Sequence, residues 1–328
     1  MSKYSIVLPV RNGGHYVKEC VRSILSQSLN DFNCIVLDNC STDGTPEWIE
    51  SLKDARIVLY RSERSLSIEE NWDRIKTVPR NAFMTMIGHD DLLHPDYLQE
   101  MDALIARHPA ATLYQTHFSY IDQDGRFVRN CLPMDEKQYV HEFLSCQMMR
   151  IIDSTGTGYL MRSADYDEAG GMPGHYPNLI FADFALWTEL MRKGYKATSF
   201  RDCFSYRLHL SVSRTTNGML YQDAFGQYVG WIERLMQQEA AVADAVHRYG
   251  REFLLYYCES LSHRLLKTPR RQRSLKVDQY IPICMAYAQS LIPGQDFHPL
   301  ARKRIRIAAF IDRYYLTREI FRRFRGIN

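Results

Sequence analysis

Two adjacent carboxylates, Asp90 and Asp91, stand between an apolar run and a helix start in the segment MIGHDDLLHPDYL. An acidic residue near a helix start most often caps it, which is the ordinary alternative here. Pro95 is the expected first helical residue, so the cap would fall at His94 and both acids would precede it. Two adjacent carboxylates are stabilised when a cation lies between them and a ligand. Mg²⁺ and Mn²⁺ bind carboxylate oxygens and complete their coordination with phosphate oxygens. The pair therefore favours a metal–diphosphate site over a cap.

Polar side chains also end other predicted strands of the N-terminal half. Short apolar runs rich in β-branched residues predict buried strands at 4–10, 33–38, 56–60 and 82–88. Helical patterns lie between these runs. Arg11 and Asn12 follow the first run, and Asp38 and Asn39 end the second. The β-α-β-α order predicts an α/β fold whose parallel sheet is flanked by helices. Ligands of such sheets bind beyond the carboxyl ends of the strands, where these polar residues lie.

Taken in order, these motifs resemble the family 2 glycosyltransferases. The resemblance is carried by SIVLPVRNGGHYVKECVRSILSQSLNDFNCIVLDNCSTDGT and by IGHDDLLHPDYL, and it covers about residues 4–215. It implies a GT-A (Rossmann-like) fold with a mostly parallel sheet in a domain over 1–215. The nucleotide-binding half would span about 1–110 and the acceptor half about 111–215.

The resemblance also implies which residues hold a nucleotide sugar. The loop that wraps the nucleobase would contain Pro9, Arg11 and Asn12. Asp38 and Asn39 stand where relatives usually have two acids that hydrogen-bond the base and the ribose. The family position that faces the donor holds Asn71.

The metal motif departs from the fuller family form. Where an Asp-x-Asp-Asp run is common, this chain reads Gly88-His89-Asp90-Asp91, without the first acid. The resemblance implies that Asp91 is the direct ligand of Mg²⁺ or Mn²⁺. It implies that Asp90 contacts the ribose or a metal-bound water. His89 is expected to fill the loop rather than to bind the ion.

Asp183 is the candidate general base. It lies in the first turn of the predicted helix FADFALWTELMRKG, where any Asp would stabilise the helix dipole. The resemblance gives it a second role, because relatives place their base in a Glu-Asp pair shortly before a Trp. Here the pair is Ala182-Asp183, followed by Trp187. A carboxylate at this place would take the proton of an acceptor hydroxyl in an inverting sugar transfer.

The segment 205–213, SYRLHLSVS, leaves two interpretations open. The resemblance places it near the diphosphate, so Arg207 and His209 are candidate diphosphate contacts. An alternating strand would equally well present both side chains to solvent without a function. The small-residue stretch 154–163 suits close approach to a ligand, and the Gly/Pro-rich loop 169–178 is of the type that orders over a donor.

From 216 to 328 the sequence predicts a helical region with a basic tail. Residues 301–328 carry nine Arg and Lys against two acids, a net charge of +7 within a chain whose total is +3. These basic residues are mixed with Ile307, Phe310, Ile311, Tyr314, Phe321 and Phe324. One interpretation is an amphipathic helix on an anionic membrane. The other is a packed helix with a solvated basic face.

Composition limits the remaining functions. The small net charge and the lack of a recognition motif argue against nucleic acid as a partner. Eight scattered cysteines without a CxxC pair, no cleavable signal and no long apolar run predict a cytoplasmic protein, with peripheral contact at the inner face of the cell membrane through the tail. No GxGxxG follows the first strand, as a dehydrogenase would need. A nucleotidyltransferase would want a Gly-rich, Lys/Arg-bearing loop there, and PVRNGGHY is a poor version of one.

The resemblance implies transfer of a single sugar, with inversion, from a nucleotide-diphosphate sugar, for which a UDP-sugar is the first expectation. The acceptor would be a hydroxyl of a glycan or lipid-linked glycan in bacterial surface polysaccharide synthesis. The alternative is a non-catalytic sugar-nucleotide-binding or scaffold protein of GT-A fold, which the absence of acids at Gly88 and Ala182 would favour.

Overall fold

The computed structural model describes residues 2–208 and 217–324, which fall into two compact units. The first unit comprises Met1–Phe143, Ile152–His175 and Ala182–Ser211. The second comprises Leu144–Ile151, Tyr176–Phe181 and Val212–Asn328. Two short segments inside the predicted 1–215 domain therefore belong to the second unit.

The first unit is built on one sheet of ten strands, in the order β3-β2-β1-β4-β9-β6-β10-β5, with β7 on β6 and β8 on β10. The strands are β1 (Tyr4–Val10), β2 (Phe32–Asp38), β3 (Ile57–Arg61), β4 (Phe83–Met86), β5 (Leu92–Leu93), β6 (Leu113–Ile121), β7 (Phe127–Asn130), β8 (Lys137–Gln138), β9 (Tyr159–Arg162) and β10 (Lys196–Arg207). The four predicted N-terminal strands are all present, within two residues of the predicted ends.

The direction of the strands decides where polar residues meet. Strands β1 to β4 are mutually parallel, as predicted. Strand β9 runs antiparallel between β4 and β6, so β6 and its parallel partner β10 point the same way as β1. The short strands β5, β7 and β8 run the other way, which makes the whole sheet mixed. The carboxyl ends of β1, β2, β4 and β10 consequently lie at the same end of the sheet.

The helices of the first unit lie between the strands along the chain. They are α1 (Gly14–Leu25), α2 (Thr45–Ser51), α3 (Ile68–Asp73), α4 (Tyr97–Arg107), α5 (Val140–Met149), α6 (Ser163–Glu168) and α7 (Ala182–Met191), of which α5 continues into the second unit. At α3, Ser67 and Glu70 form a capping box of the kind that a Ser followed three residues later by a Glu predicts. The start of α4 was predicted two residues too early: Asp96 is its N-cap, because β5 and the residues after it pair with β10.

The core of the first unit lies between this sheet and its helices. All seven residues of β1 are buried, as continuous apolar strands in a parallel sheet should be. One apolar face of α1 is buried as well, through Val17, Cys20, Val21 and Ile24. This packing fixes the strand ends that carry the polar residues.

The second unit is helical, as predicted. Its helices are α8 (Gly218–Gln238), α9 (Ala240–Lys267), α10 (Val277–Leu291), α11 (Lys303–Arg313) and α12 (Tyr315–Phe324). Phe181 stacks on Tyr228 with ring centroids 5.0 Å apart, and Phe225 stacks on Tyr257 at 4.4 Å. No helix within the described ranges is long and apolar enough to cross a membrane. All eight cysteines lie in those ranges as free thiols, and six are buried.

The last helix, α12, packs with its charged side inward. Arg318 and Arg322 are buried, and Arg318 lies 3.5 Å from a carboxylate oxygen of the buried Asp312. Its apolar side chains are exposed instead, namely Tyr315, Leu316, Ile320 and Phe324. Arg318 and Arg322 are therefore not part of a solvated basic face, whereas Arg313 and Arg323 of the same tail are exposed.

Candidate active site

Asp91 is a buried carboxylate whose two oxygens each accept a hydrogen bond. Asp91 is only 2% exposed. Oδ1 accepts the backbone N–H of Arg207 at 3.0 Å, and Oδ2 accepts the hydroxyl of Thr157 at 2.8 Å. Burial, together with the neighbouring Asp90 charge, raises the pKa of Asp91 well above its ordinary value. Asp91 thus joins three segments of the first unit at the edge of the sheet.

Asp90 and Asp91 converge over Gly88. A Cβ built on Gly88 would lie 2.7 Å from Oδ1 of Asp90 and 2.9 Å from Oδ2 of Asp91. The site thus brings the two predicted acids together, and the residue that lacks a side chain makes room for both. Asp90 is half-buried, so its carboxylate is more accessible than that of Asp91. Neither acid caps α4, which begins after β5.

Arg207 is a buried clamp on this acidic loop. At 2% exposure, its Nε donates to the Asp90 carbonyl at 2.7 Å and its Nη2 to Glu19 at 2.7 Å. Its Nη1 reaches the carbonyls of Asp122 and Gln123 at 3.3 and 3.2 Å. Of the two interpretations left open for this segment, the solvent-facing one is wrong for Arg207, because β10 ends there and the guanidinium folds back onto the loops. His209, the other candidate diphosphate contact, lies outside the described residues.

Asp183 lies beside the small-residue stretch, in the first turn of α7 as predicted. A Cβ built on Gly156 would lie 3.7 Å from its Oδ2. Trp187 anchors the same stretch by donating its indole N–H to the Thr155 carbonyl at 3.0 Å. Thr157 hydrogen-bonds Asp91, and the preceding Gly156 lies beside the Asp183 carboxylate. The sequence had paired Trp187 with Asp183 only through the family motif, and the contacts give it a physical role.

Burial raises the pKa of Asp183 to about 6, against the lowering effect of hydrogen bonds from the backbone N–H groups of Asp183 and Phe184. Tyr159, a residue of β9, interacts electrostatically with Asp183. Burial, with a smaller contribution from Asp183, raises the pKa of Tyr159. A carboxylate with a pKa near 6 is a better base than an ordinary Asp and is still largely ionised at neutral pH.

Asp38 leaves a buried acceptor without a partner at the end of β2. The residue is 1% exposed, and its Oδ1 has no hydrogen-bond partner within the described part of the chain. Its Oδ2 accepts only a long bond from the Ser41 N–H at 3.3 Å. Buried polar atoms are nearly always paired, so this oxygen is suited to a ligand donor.

Arg74 holds the floor beneath this position, and the sequence analysis did not identify it. Its Nη1 donates to the Asp38 carbonyl and to Oδ1 of Asn71, both at 2.9 Å, and its Nη2 to the Tyr60 carbonyl at 2.8 Å. Asn71 is buried and thus positioned beside Asp38 through a shared guanidinium. A lone cation within a predicted helix gave no signal for this role, because its partners come from distant strands.

Asn39 differs from Asp38 in that its amide is paired inside the fold. Its Nδ2 donates to the Leu66 carbonyl at 3.0 Å, and its Oδ1 accepts the Leu66 N–H at 2.7 Å. The amide therefore fixes the loop before α3, a task to which an Asn with both a donor and an acceptor is suited.

The loop after β1 combines a buried strand end with an exposed turn. Pro9 is buried in β1 opposite Leu37, while Arg11 and Asn12 are exposed. Asn12 has φ 49° and accepts the Thr42 N–H at 2.8 Å, which ties this loop to the one after β2. Arg11 makes no hydrogen bond or ion pair with the described residues. The predicted nucleotide residues thus line neighbouring strand ends, with different accessibilities.

Comparison with known proteins identifies the family of the domain that contains this site. The family model described as glycosyl transferase family 2 matches residues 5–167. The chain carries a family 2 glycosyltransferase domain. The family 2 domain includes the β1 loop, Asp38 and the Asp90–Asp91 loop, whereas Asp183 and Arg207 follow the matched range.

One curated sequence and two solved structures illustrate what this chain is similar to. TuaG of Bacillus subtilis (strain 168), a glycosyltransferase assigned to teichuronic acid biosynthesis, is 28% identical over 62% of this chain and 78% of its own. The structure of S. aureus TarS 1-349 in complex with UDP-GlcNAc has a TM-score of 0.63 at 14% identity, covering 95% of this chain and 93% of that one. The mannosyltransferase PcManGT from Pyrobaculum calidifontis, in complex with GDP-Man and Mn²⁺, has a TM-score of 0.51 at 14% identity, covering 98% and 87%. The expectation of a GT-A fold is confirmed.

The family 2 domain offers a cation two converging carboxylates rather than a complete cage. No group of three or more His, Cys, Asp or Glu suited to a metal occurs among residues 2–208 and 217–324. The Asp90–Asp91 convergence over Gly88 nevertheless fits a divalent ion whose other ligands are phosphate oxygens and water. The adjacent negative charges, one of them buried, would be stabilised by such an ion.

Proposed function

We propose that this chain transfers a single sugar from a UDP-sugar to a hydroxyl of a glycan or lipid-linked glycan, with inversion, in the synthesis of a bacterial surface polysaccharide. The observation that carries the proposal is that Thr157 hydrogen-bonds Asp91 while the neighbouring Gly156 lies beside Asp183. A base and a leaving-group site held by one short segment are what a single displacement requires. The assignment of TuaG to teichuronic acid biosynthesis supports a surface polysaccharide as the product. The UDP-GlcNAc bound to TarS supports a UDP-sugar as the donor.

Asp183 supplies the base of this reaction. Its carboxylate takes the proton of the acceptor hydroxyl while the oxygen attacks the anomeric carbon from the face opposite the diphosphate. The half-buried position of Asp183 and its raised pKa favour proton transfer near neutral pH. The bond from the anomeric carbon to the diphosphate oxygen breaks, and the nucleoside diphosphate leaves.

Asp90, rather than Asp91, presents its carboxylate to a divalent cation in this proposal. Both oxygens of Asp91 accept internal hydrogen bonds, and the residue is almost fully buried, whereas Asp90 is half-buried. Asp91 then orients the loop, and Arg207 holds it through the Asp90 carbonyl. When bound, Mg²⁺ or Mn²⁺ would neutralise the charge that develops on the leaving diphosphate.

The nucleotide residues divide into contacts and supports. The unpaired Oδ1 of Asp38 is suited to accept an N–H of the base, and the exposed Arg11 is suited to reach the nucleotide. Asn39, Asn12 and Asn71 act through the loops that they hold together. Pro9 shapes the strand end from a buried position.

A donor screen tests the proposed function. With a lipid-linked glycan acceptor preparation and Mn²⁺, one UDP-sugar is expected to give product and free UDP, while EDTA abolishes the release of UDP. Failure of every nucleotide sugar to turn over, despite metal-dependent UDP binding by calorimetry, would favour the alternative of a non-catalytic sugar-nucleotide binder. Turnover that EDTA leaves unchanged would contradict the role of the cation.

We also propose that the exposed apolar side of α11 and α12 rests on an anionic membrane surface. Large side chains at this surface are exposed, namely Ile307, Phe310, Tyr314, Tyr315, Leu316, Ile320 and Phe324. Exposed basic residues of the same helices include Lys303, Arg304, Arg306, Arg313 and Arg323. Apolar insertion together with nearby positive charge is the pattern of an interfacial helix.

Leu316→Ser with Ile320→Ser is expected to weaken binding to vesicles that contain phosphatidylglycerol. Each lost apolar side chain should reduce partitioning by about tenfold, since burying a Leu or Ile contributes roughly 1.5–3 kcal/mol. Co-sedimentation measures the effect, and Val128→Ser is the matched control because Val128 is exposed on β7. Unchanged co-sedimentation of the double variant would contradict this proposal while leaving the catalytic one intact.

A further inference from the structure

The second unit contains a cleft of about 670 Å³ that the transfer reaction does not use. It lies where the end of α5, the middle of α9 and the start of α11 meet. Its lining includes five basic residues, Arg150, Arg248, Arg302, Lys303 and Arg304, but only two acids, Glu252 and Glu259. A concave site of this volume is large enough for a small ligand.

The positive charges of this cleft are only partly compensated. Arg302 pairs with Glu252, and Arg304 lies 3.1 Å from Glu259. Arg150, Arg248 and Lys303 have no carboxylate within ion-pair distance among the residues that the structure describes. Three uncompensated cations around one concavity repel each other, so the arrangement is stabilised by an anion.

Arg150 is held at the cleft by an unusual backbone conformation. It follows the last residue of α5 with φ 59°, where glycine is the usual residue because a side chain crowds the backbone. The conformation brings its guanidinium to 4.2 Å from the centroid of the Tyr256 ring. A stacked guanidinium keeps its edge N–H groups available for a planar or tetrahedral anion.

The start of α11 adds to the positive potential. Its first turn holds Lys303 and Arg304 and no acidic residue, and Arg302 at the N-cap gives no side-chain cap. Cations at this end of a helix oppose the helix dipole, whereas an anion there is stabilised by the dipole and by backbone N–H groups. The local sequence is thus unfavourable for the helix by itself and favourable for anion binding.

We infer that this cleft binds the phosphate or diphosphate group of a ligand other than the sugar donor. Arg248, Lys303 and Arg150 would contact the anion, and Tyr249 and Tyr256 would pack against the group attached to it. The site lies wholly in the second unit, and the inference does not depend on the proposed transfer reaction. Both a soluble phosphate ester and a phospholipid headgroup offer this chemistry.

Hydrogen exchange of the full chain tests the inference, with inorganic pyrophosphate as the probe. EDTA is present throughout, because it removes metal-dependent binding at the active site. Pyrophosphate is expected to protect the amides of residues 303–306, and its affinity should fall about tenfold in Arg248→Gln, because a bond to a charged group is lost. Arg271→Gln is the matched control, since Arg271 is an exposed cation of the same unit outside the cleft.

Vesicles separate the two sources of phosphate. Protection of 303–306 by pyrophosphate supports a soluble phosphate ester. Protection by phosphatidylglycerol vesicles alone, and not by phosphatidylcholine vesicles, supports a lipid headgroup. Absence of protection by both probes, or equal protection in Arg248→Gln and wild type, would overturn the inference.

Discussion

Asp183→Asn is expected to reduce turnover by about 10²- to 10⁴-fold, the usual loss when a positioned general base is removed. The Asn keeps the shape of the side chain but cannot accept the acceptor's proton. UDP and metal affinity, measured by calorimetry on the same preparation, should barely change, because the nucleotide residues lie on other strand ends. Turnover is measured with the acceptor that the donor screen identifies.

Asp278→Asn is the matched control for this change. Asp278 is also in the first turn of a helix, α10, and its removal costs the same favourable dipole interaction of roughly 0.3–1 kcal/mol. It should leave turnover unchanged. Near-normal turnover of Asp183→Asn would assign the base to another residue, and loss of UDP binding along with turnover would show that Asp183 is structural.

The pH dependence gives an independent signature of the same base. Only the ionised carboxylate accepts a proton, and the pKa of Asp183 is raised to about 6. We therefore expect kcat/KM to rise with pH up to about 6 and then to level, because Asp183 is protonated below that value. Tyr159, which faces Asp183, has its pKa raised and stays protonated throughout this range. The acidic limb should be absent from the residual activity of Asp183→Asn.

Asp90→Asn is expected to weaken Mn²⁺-dependent UDP binding by about 100-fold, on the order of 3 kcal/mol, with no loss of thermal stability. Asp90 is half-buried, so the change removes a ligand without disturbing the core. Asp91→Asn should behave differently. The Asn oxygen can still accept the Arg207 N–H, but its NH₂ must donate to the Thr157 hydroxyl, which loses its acceptor, so the free energy of unfolding should fall by about 1 kcal/mol.

Calorimetry with and without EDTA, together with thermal melts, separates these roles. Gly88→Ala is the companion variant, because its Cβ would lie within 3 Å of carboxylate oxygens of both Asp90 and Asp91 and push them apart. It should lose metal-dependent affinity as Asp90→Asn does. If Asp91→Asn alone abolished metal-dependent binding, while Asp90→Asn bound UDP normally, the direct ligand would be Asp91, as the family resemblance implies.

The first two hundred residues show how much a sequence determines when local patterns agree. The four N-terminal strands, the capping box at Ser67 and the position of Asp183 in the first turn of α7 follow from hydrophobic period and cap chemistry. These signals act over a few residues, so neighbouring sequence is enough to define them. The order of the motifs likewise identifies the family and the candidate site.

Only the tertiary structure assigned roles within that site. Asp90 and Asp91 look alike in sequence, but Asp91 is buried by Arg207 and Thr157, which arrive from 116 and 66 residues away. Strand alternation left open whether Arg207 faces solvent, because its burial depends on Glu19 and on the turn at Asp122.

The C-terminal helix α12 shows the same limit most clearly. Its composition allowed a membrane helix or a packed helix with a solvated basic face, since periodicity defines two faces without saying which one is buried. In the structure Arg318 pairs with the buried Asp312, and large apolar side chains of the same helix are exposed. The free energy of that choice lies in long-range ion pairing and packing, which depend on partners that the local sequence does not specify.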